Sequence, residues 1–286
     1  GLGSTFAALV SLCGGAPVGQ YGPLVNFGAS IASFFSQVTR IRLITPEILM
    51  SCGVAAAISA GFHAPIAGII FAHEAILRHF SLRALLPIAV SSTISAAFGN
   101  WAFGGTPLFS LKVGAPELMP LLPALFISGF VFGAIALIYM KMIFGFSGIP
   151  AKYKLGYLPF ALIAALVTGV FGIFFPEILG LGVDVIFSFI TDDFSLALVV
   201  VLLGLKILLT SLCIGFGIFG GVFSPALFIG AASGQFMSNL LGQISLFAPS
   251  TVLAISGMAA VAACVVGAPL LSSRPFARGL GRAYRG

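Results

Sequence analysis

The chain has 286 residues, 59% of them hydrophobic and 7% charged, where a soluble domain carries about 25% charged residues. Mean hydropathy is +1.18, which excludes a water-soluble globular domain and identifies a polytopic membrane protein. The net charge of +6 owes much to Arg274, Arg278, Arg282 and Arg285, so it implies no nucleic-acid partner.

In chain order, the start GLGSTFAALV lacks the basic region of a signal peptide and reads as the inside of a span, as expected of a fragment. Residues 2–16 form a small-residue apolar helix. A helix follows Pro23 to about Gln37, with Arg40 and Arg42 on the cytoplasmic side. Ile48 to Leu77 is broken at Gly61–Pro65. Neither piece spans alone, so the segment enters and returns, with Arg78 and Arg83 on the side of Arg40. Leu85–Phe98 is a short helix and Gly104–Glu117 an external Gly/Pro loop. Leu121–Ile143 spans, and its Gly129 and Gly133 suit close helix packing. Lys141, Lys152 and Lys154 place the next loop inside and mark a boundary between halves. Leu158–Phe175 spans, Ile178–Ile190 is short, and Asp192 and Asp193 lie in a loop. Phe194–Leu212 carries Lys206 at mid-span.

Gly215–Gly230, GFGIFGGVFSPALFIG, is the organising stretch. Gly215, Gly217, Gly220 and Gly221 hold it non-helical, and Ser224 and Pro225 open a new helix with proline in the first turn. The N–H groups of Gly221, Val222 and Phe223 have no helical partners and face the positive end of the helix dipole. At membrane depth such unwound backbone lines a polar cavity or is buried in protein, which makes it an anion site. Gly215, Gly217 and Gly220 also spell G-x-G-x-x-G, but a dinucleotide fold wants an acidic residue about 20 positions later, and the last one here is Asp193.

A second copy separates this stretch from an ordinary glycine-rich loop. Gly19-Gln20-Tyr21-Gly22-Pro23 aligns with the first copy by laying Pro23 on Pro225, which brings Gly28 onto Gly230. Gly53…Ala64-Pro65 likewise matches Gly257…Ala268-Pro269. Interrupted segments at corresponding positions of two halves point to a transport site near the midplane. The expected organisation is one transmembrane domain over 1–286. Its first pseudo-repeat is 1–145 and its second 146–286, with an atypical basic tail from about 271.

Other constellations are weaker. Cys13, Cys52, Cys213 and Cys264 are scattered in apolar surroundings and read as inert core thiols. His73, Glu74 and His79 lack the H-E-x-x-H spacing of a zinc helix. His63 reads as a hydrogen-bonded turn residue. Lys206 either snorkels or pairs with a carbonyl, or it supplies positive potential to an anion path. A membrane-embedded enzyme would need a nucleophile–base pair or paired acids, which the seven Asp and Glu do not offer.

GQYGP, GFHAPIAGIIF and GGVFSP, with PEILGLGVD and KILLT, resemble motifs of the CLC family of voltage-gated chloride channels and chloride/proton antiporters, in the family's order from Gly1 to about Pro269. The resemblance implies an all-α polytopic membrane protein with a CLC-type inverted repeat of broken, tilted helices. It implies a homodimer in the lipid bilayer of the cell or inner membrane, one anion pathway per subunit, no cofactor and no enzymatic activity. It assigns anion binding to the amides of Gly19, Gln20, Tyr21 and Gly22 on one side and Gly221, Val222 and Phe223 on the other. Tyr21 stands at the family's gating glutamate and Ala75 at its proton-transfer glutamate, with Glu74 next to it. Tyrosine, with an ordinary pKa near 10, cannot mimic chloride as an anion at neutral pH, though it can plug the path or donate its hydroxyl. The expectation is chloride transport that is channel-like or uncoupled from protons. The alternatives are a chloride/proton antiporter using Glu74, a transporter of another small anion, or a non-conducting truncated homologue.

The resemblance also implies helices before Gly1, one of them supplying a serine to the ion, and another apolar helix after Pro269 followed by a tyrosine that caps the ion. Here the chain reads LLSSRPFARGLGRAYRG instead, which is either a basic cytoplasmic tail or a truncated or shifted reading frame.

Overall fold

The computed structural model describes residues 2–39, 45–79, 81–104, 118–153, 156–191, 194–243 and 249–267. Arg40 and Arg42, most of the 104–117 loop, Lys154, Asp192, Asp193, Pro269 and the basic tail lie outside them. The described residues are helical, with no strand among them.

α1 (Leu2–Cys13) ends at Gly14 and Gly15, the latter at φ +79°, and a linker leads to α2 (Tyr21–Thr39). α3 (Pro46–Phe62) opens on a proline at its first position. It stops at His63, whose φ of 52° is left-handed and whose Nδ1 sits 2.6 Å from Asn100 Oδ1. The chain resumes at once as α4 (Pro65–Phe71) and runs into a π-helical turn, Ala72–Leu77. Then follow α5 (Leu82–Phe103), α6 (Leu118–Tyr153), α7 (Tyr157–Phe174), a 3-10 turn (Pro176–Ile178), α8 (Val183–Thr191), α9 (Leu196–Gly215), α10 (Phe223–Gln243) and α11 (Ser250–Gly267). By length and composition α5, α6, α7, α9 and α11 could each cross a bilayer.

Several expectations are corrected. α5 has 22 residues and is long enough to span. Its serines are packing groups. Ser91, Ser92 and Ser95 donate to the carbonyls of Cys52, Pro65 and Ala56, and Ser59 donates back to Ser92. α6 continues past Ile143, the expected end of this span, to Tyr153. With 36 residues α6 is about 54 Å long, more than the thickness of a hydrocarbon core. Gly129 and Gly133 have open space where a Cβ would go, so they do not mediate close packing within the described residues. Cys13 and Cys264 are exposed, leaving only Cys52 and Cys213 as core thiols.

Close packing occurs at other glycines. On α2 a Cβ at Gly28 would collide with the Gly53 carbonyl of α3, and one at Gly53 with the Gly28 carbonyl. On α10 and α11, Gly230 and Gly257 oppose each other in the same way, and Gly234 meets the Leu253 backbone. Each pair of helices therefore crosses backbone to backbone, as small residues permit. The largest cores lie where α6, α8 and α9 enclose α10 and α11. Leu82, Leu86, Val90, Ile94 and Phe98 form an exposed apolar ridge along α5, the reverse of a soluble helix and the surface lipid requires.

Candidate anion site

α2 and α10 both begin two residues before a proline. In each the first amide to make a helical bond belongs to the residue after that proline: Leu24 N–H to Gln20 O and Ala226 N–H to Val222 O, both 3.1 Å. Proline has no N–H. The amides of Gln20, Tyr21 and Gly22, and those of Val222, Phe223 and Ser224, therefore carry no backbone partner among the described residues. These are the orphan donors of a helix start, and the helix dipole adds to their positive potential.

The two starts are held together by a single antiparallel bridge. Gly19 N–H donates to Gly221 O at 2.7 Å and Gly221 N–H to Gly19 O at 2.6 Å. This corrects the expectation for those two glycines, whose amides are spent on each other. Of the seven positions assigned from sequence, Gln20, Tyr21, Gly22, Val222 and Phe223 keep a free amide. A side chain is excluded at Gly19 and at Gly22: a Cβ on Gly19 would lie 2.8 Å from Gly221 O, and one on Gly22 3.0 Å from Gly221 Cα.

The linker before Tyr21 is anchored from α9. Thr210 donates to Pro17 O at 2.7 Å, and Gly180 N–H donates to Gly15 O at 3.0 Å. Lys206, fully buried, donates to Ile178 O at 2.8 Å and Gly180 O at 2.9 Å and sits 4.6 Å above the Phe228 ring centroid. Of the readings open for Lys206, carbonyl pairing is the one observed. Two carbonyls and a ring face match the three donors of an ammonium group.

Aromatic rings close the junction. Tyr21 is 6% exposed, stacks on Phe62 at 3.8 Å between centroids and meets Phe223 edge-on at 5.9 Å. Phe62 and Phe223 meet edge-on at 5.4 Å. The Tyr21 hydroxyl is 3.5 Å from Gly61 O, the far edge of hydrogen-bond range, so packing sets its position. Sequence reasoning missed Phe62 and Gly61; the GFHAP motif contained both. Glu74 is exposed and Ala75 partly buried on the π-helical turn. π-helical turns are often found at functional sites.

Two helix starts meeting end to end inside a bundle of apolar, partly broken helices define a multi-pass membrane protein. Residues 1–273 match the voltage gated chloride channel family, and the chain belongs to that family. It is 28% identical to the H(+)/Cl(-) exchange transporter ClcA of Vibrio campbellii over 93% of this chain and 58% of that one. Among solved structures it resembles a CLC-type fluoride/proton antiporter (TM-score 0.76, 25% identity, 88% of this chain and 62% of that one). It also resembles a slow cyanobacterial Cl−/H+ antiporter (TM-score 0.72, 26% identity, 91% and 62%). The chain thus spans less than two thirds of the length of each.

Proposed function

We propose that the chain forms the core of an anion pathway, chloride being the first candidate, which moves anions without coupled protons. The observation that carries this reading is the pairing of two helix starts whose free amides flank a tyrosine. Amides supply partial positive charge without a full cation, which holds an anion weakly enough to release it. Coupled exchange needs groups that titrate between the ion and each side of the membrane. Tyr21 and Ala75 provide none in the working range, since an ordinary tyrosine titrates near pH 10.

The likeness to a fluoride/proton antiporter and a Cl−/H+ antiporter supports a small monovalent anion as substrate. The reciprocal Gly19–Gly221 bridge and the matched glycine crossings support two pseudo-symmetric repeats. The proposed working unit is a homodimer in the bilayer.

The test is anion efflux from chloride-loaded liposomes with internal pH recorded at the same time and valinomycin carrying counter-charge. Efflux without proton movement is the expected result. Stoichiometric proton movement would overturn the uncoupled reading. Its loss in Glu74→Gln would then identify Glu74 as the carrier. Absence of efflux from the intact protein would favour a non-conducting homologue.

A further inference from the structure

We infer that the Ser224 hydroxyl is itself an anion ligand, placed on one side of the junction only, and that it biases the pathway toward small, strongly hydrated anions such as fluoride over the larger halides. This rests on the anion-pathway reading and adds a side-chain donor to it.

Ser224 is 4% exposed, and its Oγ is buried with no hydrogen-bond partner among the described residues. Ser128 and Ser211 share that state but lie inside α6 and α9, whereas Ser224 lies in the first turn of α10; several other helical serines are satisfied. Ser51, Ser147 and Ser233 donate to the carbonyl four residues back, and Ser59 and Ser92 reach a neighbouring helix. Ser224 lacks the first option because it is the second residue of α10, where the residue four back precedes the helix. A buried hydroxyl without a partner is unfavourable, and its presence calls for a partner that is not protein.

Its position indicates which. The Oγ and N atoms of Ser224 lie against Gly19, at 3.0 Å and 3.1 Å from the place a Cβ on Gly19 would take. The hydroxyl thus belongs to the first turn of a 21-residue helix whose leading amides have no backbone partner among the described residues. The corresponding residue at the start of α2 is Gly22, which has no side chain. One face of the junction therefore offers amides alone, and the other offers amides plus a rotatable O–H.

A hydroxyl forms shorter bonds than an amide, and bonds to an ion are stronger than neutral ones. A short donor favours the anion with the highest charge density, offsetting part of its larger dehydration cost. It adds less for chloride or bromide, whose size keeps the charge farther from the proton.

The experiment titrates the intact detergent-solubilised protein with sodium fluoride and with sodium chloride by calorimetry. It uses wild type, Ser224→Ala, Ser224→Cys and Ser224→Thr, with liposome efflux measured on the same preparations. Ser224→Ala should weaken fluoride binding about tenfold, as for loss of one hydrogen bond to an ion, and chloride binding by a clearly smaller factor. Ser224→Cys, similar in size with a weak donor, should behave like alanine and serves in its place if the alanine variant does not fold. Ser224→Thr should keep the wild-type ratio. Wild type that binds and conducts, with an unchanged fluoride-to-chloride ratio in the alanine or cysteine variant, overturns the inference and leaves the pathway intact. Wild type that neither binds a halide nor conducts overturns both.

Discussion

Gly19 and Gly221 donate to each other's carbonyl oxygens, at 2.7 Å and 2.6 Å. They are the residues that coincide when Pro23 is laid on Pro225. The bridge therefore joins two residues that occupy matching places in the two proline-aligned stretches. A Cβ at either position meets backbone: Gly221 O at 2.8 Å from Gly19, and Gly22 N at 2.8 Å from Gly221. Gly19→Ala and Gly221→Ala should each destabilise the protein by about 1–3 kcal/mol through overpacking. Thermal unfolding in detergent checks this, and a wild-type melting temperature in both would show that the bridge is dispensable.

The glycine crossings make a second, internally controlled case. Gly230→Ala would press on the Gly257 carbonyl and force α10 from α11, whereas Gly133→Ala meets nothing within 4 Å. The first should lower the melting temperature markedly. The second should leave it unchanged or raise it slightly, since alanine is the better helix former by about 1 kcal/mol.

Much of this core was legible in sequence, and the reason is steric. The positions that had to be glycine or proline marked themselves: Pro23 with Pro225, Gly28 with Gly230, Gly53 with Gly257. What was not legible depended on partners distant in the chain. The Gly129–Gly133 spacing looked like a packing motif, while the spacing that packs is Gly230–Gly234 against Leu253. The same four-residue interval occurs in both helices, and only the facing helix tells them apart. The Gly221 amide has no helical partner, as its glycine-rich setting implied, but its mutual bonding with Gly19 could not be read locally. Lys206 was left between two roles because its carbonyl acceptors come from a turn 26 and 28 residues away.

Lys206→Met tests that anchoring role. It removes both bonds and leaves the buried carbonyl of Ile178 without its donor. A cost of about 1–3 kcal/mol is expected. Limited proteolysis between residues 176 and 182 should also speed up, because the turn loses its tether to α9. Unchanged cleavage would show that the Gly180–Gly15 bond suffices.

Tyr21 is held by ring packing, so its variants should separate by size. Tyr21→Phe should keep stability within about 1 kcal/mol, the hydroxyl contact being long, and should keep anion flux near wild type. Tyr21→Ala should raise flux by opening the aromatic closure with Phe62 and Phe223. Liposome efflux rates decide, and a slower alanine variant would remove Tyr21 from the gate.

Wild-type flux should be flat between about pH 5 and pH 8, because neither Tyr21 nor Ala75 changes charge there. Replacing both by glutamate, in Tyr21→Glu with Ala75→Glu, should introduce a steep pH dependence. Efflux over a pH series checks both expectations.

The bridge between Gly19 and Gly221 also sets a clock. About 200 residues separate its halves, and at a synthesis rate of about 5–20 residues per second the first half waits roughly 10–40 s for the second. Throughout that delay the Gly14–Gln20 backbone has neither Thr210 nor Gly221 to bond. The nascent chain must keep this strip at the aqueous face of the insertion machinery, or in water held by its neighbours, until α9 and α10 arrive. The junction therefore forms only once residue 221 has been made, and a ribosome stalled before it leaves α1 to α9 without the second helix start.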